Sequence, residues 1–216
     1  MAGWYRGLAA LLLMIGTAHA DPVADVRAAF DRYRAALVAR DGDAAVAWLT
    51  PASHDHLRVL RDLALDAPRE RVAALPIGDR LMVFRLRHEF TAAELRPLSG
   101  GDLLRVSVEE AWSSPKTLQP ITLDAVEFGS DLAIATPSRA GEPVPMRLVF
   151  RPTADRWQLD LRELARGTDD ALEATLLFRA KRAGVDLDTA IRWAIEDTSG
   201  HLVDKDLWAP LASRPG

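Results

Sequence analysis

The hydrophobic period of this chain changes once near Pro115, and that change restricts the fold more than any motif does. Before it, apolar residues recur every three or four positions, the spacing of a helix with one buried stripe. After it, "ITLDAVEF" (121 to 128), "DLAIATP" (131 to 137), "PMRLVFR" (145 to 151) and "RWQLDL" (156 to 161) alternate with a period of two. Gly-, Ser- and Pro-bearing turns separate these runs, so they predict an antiparallel meander of about four strands. Helices first and strands second means segregated α+β rather than alternating α/β.

The helical half carries clear punctuation. Asp21 caps a first helix with Pro22 at its opening position, where a missing N–H costs nothing. Val23, Val26, Phe30, Tyr33 and Leu37 form its buried stripe, and Gly42 is the expected left-handed stop. "AAVAWL" is a short second helix. Thr50-Pro51 opens a third with Leu57, Leu60 and Leu63/Ala64 at helical spacing, and 66 to 75 a fourth. In "PIGDRLMVFRLRHEF" alternate residues would suit a strand, but Ile77, Leu81, Phe84 and His88 fit a helix. "TAAE" (91 to 94) is a capping box. "SGGDLLRVSVEEAW" reads as either element, with helix preferred.

In the strand region a four-residue loop at 152 to 155 would set Phe150 opposite Trp157, Leu148 opposite Leu159, and Arg147 opposite Asp160 as a cross-strand ion pair. The tail returns to helix, from a Thr168 cap to a Gly184 stop and then to Gly200. Leu207, Trp208 and Leu211 form a plug expected to dock on the core.

Residues 1 to 20 have the layout of a secretory signal: Arg6, an apolar run at 8 to 16, and small residues at Ala18 and Ala20. That run is shorter than the roughly 20 residues a bilayer requires. The expectation is a periplasmic or secreted protein cleaved after Ala20, with no membrane partner after cleavage. The chain has no cysteine, which excludes disulfides, thiolate metal sites, a cysteine nucleophile and a lipid-anchored cysteine. Net charge is −4, and the arginines are scattered rather than striped, so nucleic acid is not an expected partner.

The candidate chemistry is sparse. His54 and His56 have a metal-site spacing, yet in a helix residues two apart point about 200° from each other. They read as the first turn of a surface-facing helix and not as a metal site. "RHEF" lacks the second histidine of a zinc-protease helix, since residue 92 is alanine. Gly100-Gly101 has no following lysine, no G-x-S-x-G turn occurs, and Glu109-Glu110 diverge into solvent. No cofactor is implied.

The stretch "FDRYRAALVARDGDAAVAWLTP" resembles the first two helices of the NTF2-like (cystatin-like α+β) superfamily, and "RWQLDL" resembles the closing strand of its curved sheet. The resemblance covers 24 to 51 and 121 to 162. "PIGDRLMVFRLRHEF", "ELRPLSGG" and "SGHLVDKDLWAP" resemble blocks of exported bacterial members. It implies a domain over 21 to 165 with a helical insertion at about 52 to 115, and a helical extension over 166 to 216 packed on the same core. It also implies a cone whose lining is expected to include Tyr33, Phe84, His88 and Trp157. Three function classes follow. One is a non-catalytic module binding a small apolar ligand or a protein partner. Another is an isomerase- or cyclase-type cavity enzyme using Tyr33 or His88. The third is an interaction protein such as a toxin neutraliser. A homodimer through the sheet is the oligomer the superfamily suggests, unless the extra helices cover that face.

Overall fold

The computed structural model describes residues 21–112, 119–204 and 206–214. The signal-peptide expectation lies outside these residues. Among them no helix is long and apolar enough to cross a membrane.

Helices α1 (Pro22–Ala39), α2 (Gly42–Val46), α3 (Pro51–Asp66), α4 (Arg69–Ala73), α5 (Ile77–Glu89), α6 (Ala92–Leu95) and α7 (Gly100–Glu109) come first. Strands β1 (Ile121–Phe128), β2 (Ala133–Arg139), β3 (Glu142–Pro143), β4 (Leu148–Pro152) and β5 (Trp157–Leu159) follow. Helices α8 (Leu161–Ala183) and α9 (Leu187–Ser199) and a 3-10 turn at Leu211–Ser213 close the chain. The fold is therefore α+β: helices packed with an open antiparallel sheet in the order β1-β2-β4-β5, with the two-residue β3 paired to the end of β2.

Capping residues set the helix starts. Asp21, Asp41, Thr50, Thr91, Ser99 and Asp186 each accept a main-chain N–H from the first turn of the helix they precede. Thr91/Glu94 form the expected capping box, and Ser99/Asp102 form a second. The ambiguous segments at 77 to 89 and 100 to 109 are both helices. Gly42 does not stop α1. Arg40 takes the left-handed position at φ 56°, and Gly42 opens α2, where an added Cβ would lie 2.5 Å from the Arg105 side chain of α7.

Helix α3 is amphipathic rather than only surface-facing, with Asp55, Arg58, Val59 and Asp62 exposed on one side. It buries Ser53, Leu57, Leu60, Leu63, Ala64 and Leu65, and it touches α5, α7 and α8. One contiguous core runs from α1 (Val26, Phe30, Leu37) through α3 and α5 (Val83, Phe84, Leu86) to Phe150 and Leu159 on the sheet. The tail plug docks on this core through Leu207 and Leu211, each 3 % exposed.

The β4–β5 register differs from expectation by two residues. Phe150 faces Leu159 and Pro152 faces Trp157, so neither Phe150–Trp157 nor Leu148–Leu159 is a pair. The loop is 153–156 because Thr153 closes it locally: its N–H donates to the Arg156 carbonyl at 2.7 Å, and its hydroxyl accepts from the Arg156 N–H at 3.2 Å. Asp160 does not pair with Arg147. It leaves the sheet to cap α8 by accepting from the Arg162 N–H, and its fully buried carboxylate pairs with Arg151 and Arg162, each at 3.3 Å. That cap starts α8 at Leu161, seven residues before the expected Thr168. The Thr168 hydroxyl instead donates back to the Leu164 and Ala165 carbonyls within the helix, and the 165/166 boundary falls inside α8.

The outer edge of β5 is not free. Thr50 donates to the Leu159 carbonyl at 3.0 Å and Leu159 donates to the Trp48 carbonyl at 2.9 Å, a short parallel bridge from the α2–α3 connection. On the far edge, Arg27 and Arg34 of α1 donate to the Asp124 and Ile121 carbonyls of β1. Both edges are thus partly occupied, which limits strand addition.

Candidate functional site

The four expected lining residues do not meet in any one of three clefts among the described residues. Tyr33 is buried in α1 at 8 % exposure, and burial pushes its phenol well above the ordinary range, so it stays neutral at physiological pH. Phe84 and His88 lie one turn apart on α5 and are both buried. Phe84 meets Trp208 edge-on at 4.8 Å, so the tail plug fills the space beside α5. None of Tyr33, Phe84 and His88 lines the three open clefts described here. Trp157 does, on a different side of the fold.

Trp157 borders a cleft of about 530 Å³ between α1 and the β4–β5 hairpin. The small side chains of Ala28 and Ala29 leave room there, and Trp48, Pro152 and Trp157 complete an apolar lining. Trp48 is held in place by the parallel bridge, because its carbonyl is bonded to the edge of β5. Phe128 and Trp157 sit on β1 and β5 with two strands between them, yet their ring centroids are 5.7 Å apart. A flat sheet would separate those strands by about 14 Å. The coiling of the sheet brings the two rings together, and of the two Trp157 borders the groove.

The polar rim is mixed: Arg32 and Arg156 stand with Asp25, Thr153 and Asp155. The guanidinium carbons of Arg32 and Arg156 lie 5.1 Å and 5.2 Å from the Trp48 ring centroid. Arg156 is neutralised by Asp155 at 2.7 Å, and that contact holds the Asp155 carboxyl below its usual range. Arg32 makes no ion pair among the described residues, which leaves a cation beside an indole at the mouth of an apolar groove.

A second cleft, of about 230 Å³, lies between α3, α5 and α8. The two histidines of α3 diverge as helical geometry requires. His56 reaches this cleft and its Nε2 lies 2.8 Å from Asp79 Oδ1, while His54 faces Gly101 of α7. Asp169 of α8 accepts the Gly78 N–H at 2.8 Å and so caps α5 from another helix. His56 and Asp79 could shuttle a proton, but no hydroxyl or thiol side chain lines the cleft to act as a nucleophile. Among the described residues no group of three or more His, Asp or Glu is placed to hold a metal ion. A third, shallower cleft runs along the exposed side of α3 near Val59 and Arg71.

Sequence reasoning expected Trp157 to line a cavity, and Trp157 borders this groove; Trp48, Arg32 and Arg156, which border it too, were not among the expected residues. Trp48 carried one usable signal, a large aromatic just before the Thr50-Pro51 helix start. The arginines carried none, because each is an exposed residue on an unremarkable helix or turn.

Comparison with protein-family models, with curated proteins and with solved structures finds no match for this chain.

Proposed function

We propose that this chain is an exported, non-catalytic binding module of NTF2-like architecture. Its groove between α1 and the β4–β5 hairpin takes an apolar, acid-bearing segment of a partner protein. The observation that carries this reading is the Arg32 guanidinium, which has no ion pair among the described residues and lies 5.1 Å from the Trp48 ring centroid, beside a lining of Ala28, Ala29, Pro152 and Trp157. Such a site attracts a carboxylate next to a hydrophobic anchor. A small apolar ligand suits it less well, because pockets for small molecules enclose most of the ligand and this groove is open along its length. The order of elements supports the architecture: two opening helices, a sheet with α1 packed beside it, and a closing strand next to the α2–α3 connection.

The residues with acid–base chemistry favour binding over catalysis. Tyr33 and His88 are packed away from the open clefts, and His56 faces Asp79 without a nucleophile beside it.

A random-peptide display selection on the wild-type chain tests the proposal. The expected outcome is a consensus with an Asp or Glu within a few residues of an aromatic or branched aliphatic residue. Binding of such peptides should fall at least about tenfold on Trp157→Ala and on Arg32→Glu, which corresponds to about 1.4 kcal/mol or more. Peptides that bind both variants as well as wild type would place the docking surface elsewhere.

A further inference from the structure

We propose that the exposed face of the second half of α8 is a self-association surface, on which two copies of this chain pack their α8 helices antiparallel about a two-fold axis. The surface is on a different element from the groove and does not depend on it. Helix α8 buries Leu176 and Ala180 against the body, and its opposite face is bare. Asp170, Ala174, Phe178 and Lys181 follow at intervals of four, four and three, so they form one line along that bare face. Phe178 is 66 % exposed, more than any other aromatic among the described residues, and Leu177 beside it is 49 % exposed.

The line is complementary to its own reversal. Set antiparallel with the axis between Ala174 and Phe178, each Phe178 covers the Ala174 of the second copy, a large side chain over a small one. The same register brings Asp170 against Lys181 and Arg182 of the second copy. Asp170, Lys181 and Arg182 make no ion pair within their own chain among the described residues, although the next arginine on the helix, Arg179, pairs with Asp197 at 2.6 Å. A surface with acid at one end, base at the other and an apolar centre suits an isologous partner. An anionic membrane suits it less, because Asp170 and Glu173 lie at the same stretch. One helix pair buries less than the roughly 1,200 Å² of a standard interface, so the dimer is weak and concentration-dependent.

Sedimentation equilibrium on the full chain, from about 10 µM to about 1 mM, reads the association directly. Wild type should shift from monomer toward dimer over this range. Phe178→Asp should stay monomeric, with its dissociation constant raised at least about tenfold and an unchanged circular dichroism spectrum. Asp170→Lys and Lys181→Asp should each weaken the dimer. The double exchange D170K/K181D should return it to within about threefold of wild type, a rescue that damage to the helix would not give. A wild-type chain that remains monomeric at the top concentration overturns the proposal. So does a Phe178→Asp dimer as tight as wild type, or a double exchange no better than the single variants.

Discussion

The guanidinium of Arg87 donates to the main-chain carbonyl of Leu207 at 3.0 Å, joining the middle of the helical half to the tail 120 residues later. The same group donates to Trp208 at 2.8 Å, and to Leu63, Ala64 and Ala67 at 3.1, 3.0 and 2.6 Å. A guanidinium has five N–H donors, and here all five end on main-chain oxygens. Three of those oxygens belong to the last turn of α3 and its cap: Leu63 also accepts the Ala67 N–H, Ala64 has no donor four residues on because residue 68 is proline, and this helix end favours a positive charge. The side chain is fully buried. Burial, then the neighbouring Arg214, lower its pKa to about 10 against the opposing pull of Asp206, so it is still charged at neutral pH. Arg214 completes the clamp by donating to the Arg87 and Ala209 carbonyls at 2.8 and 3.1 Å.

Replacing Arg87 by Met should therefore destabilise the fold by about 3–5 kcal/mol, since it removes five hydrogen bonds at once, four of them buried. Arg87→Lys should recover only part of this, because an ammonium has three donors at the end of a flexible stem. Urea unfolding measures both. The variant should also free the tail, so limited proteolysis should cut near 204 to 209 faster than in wild type. A loss under about 1 kcal/mol would show that the tail docks through Leu207 and Leu211 alone.

What the sequence reveals and hides follows from this residue. The apolar stripe of α5 is legible as Ile77, Leu81, Phe84 and His88, and their spacing marks a helix correctly. That spacing leaves Arg85 and Arg87 on the polar side, yet both are buried. Arg87 becomes buriable only because carbonyls from α3 and from the tail converge on it, and no local pattern records such a meeting. The β4–β5 register was hidden for a related reason. A two-residue slip keeps every side chain on its own face, so alternation cannot detect it. The groove likewise depends on the coil of the sheet and on a bridge between Trp48 and Leu159, neither of which periodicity encodes.

The corrected register makes a direct test. Asp160→Ala removes both the cap of α8 and the partner of Arg151 and Arg162, so it should cost about 2–4 kcal/mol. Arg147 is exposed and has no part in this cluster, so Arg147→Ala should change stability by less than about 0.5 kcal/mol. Arg151→Ala should cost more than Arg147→Ala in the same urea titration. The reverse ranking would restore the pairing first expected from the sequence.

Two glycines should respond in opposite directions to alanine. Gly100 begins α7 where it crosses α3, and an added Cβ would sit 1.8 Å from the His54 carbonyl oxygen. That contact is with main chain and cannot be relieved by a rotamer change, so Gly100→Ala should cost about 1–3 kcal/mol. Gly167 lies inside α8 with nothing within 4 Å of an added Cβ, and Gly167→Ala should stabilise by roughly 0.5–1 kcal/mol. Thermal denaturation of the two variants side by side checks the sign of each.

Tyr33 sets a dependence on alkaline pH. Its phenol has an ordinary pKa of 10.0 in the unfolded chain, and burial raises it in the folded one. Below pH 10 both states hold the proton and the group contributes no pH dependence. Above pH 10 the unfolded chain releases it while the folded chain does not, so the unfolded state gains and stability falls as pH rises. The limiting slope from one such group is about 1.4 kcal/mol per pH unit. Arg87 acts in the opposite direction over the same range, because its folded pKa is lowered to about 10 and raising the pH relieves the cost of its buried charge. Arg87 is common to wild type and Tyr33→Phe, so the difference between them isolates the phenol. Urea midpoints at pH 9 and pH 11 should move down more in wild type than in Tyr33→Phe. Equal movement would mean that the phenol reaches solvent in the folded protein, and with it that the first helix is less tightly packed on the core than its 8 % exposure indicates.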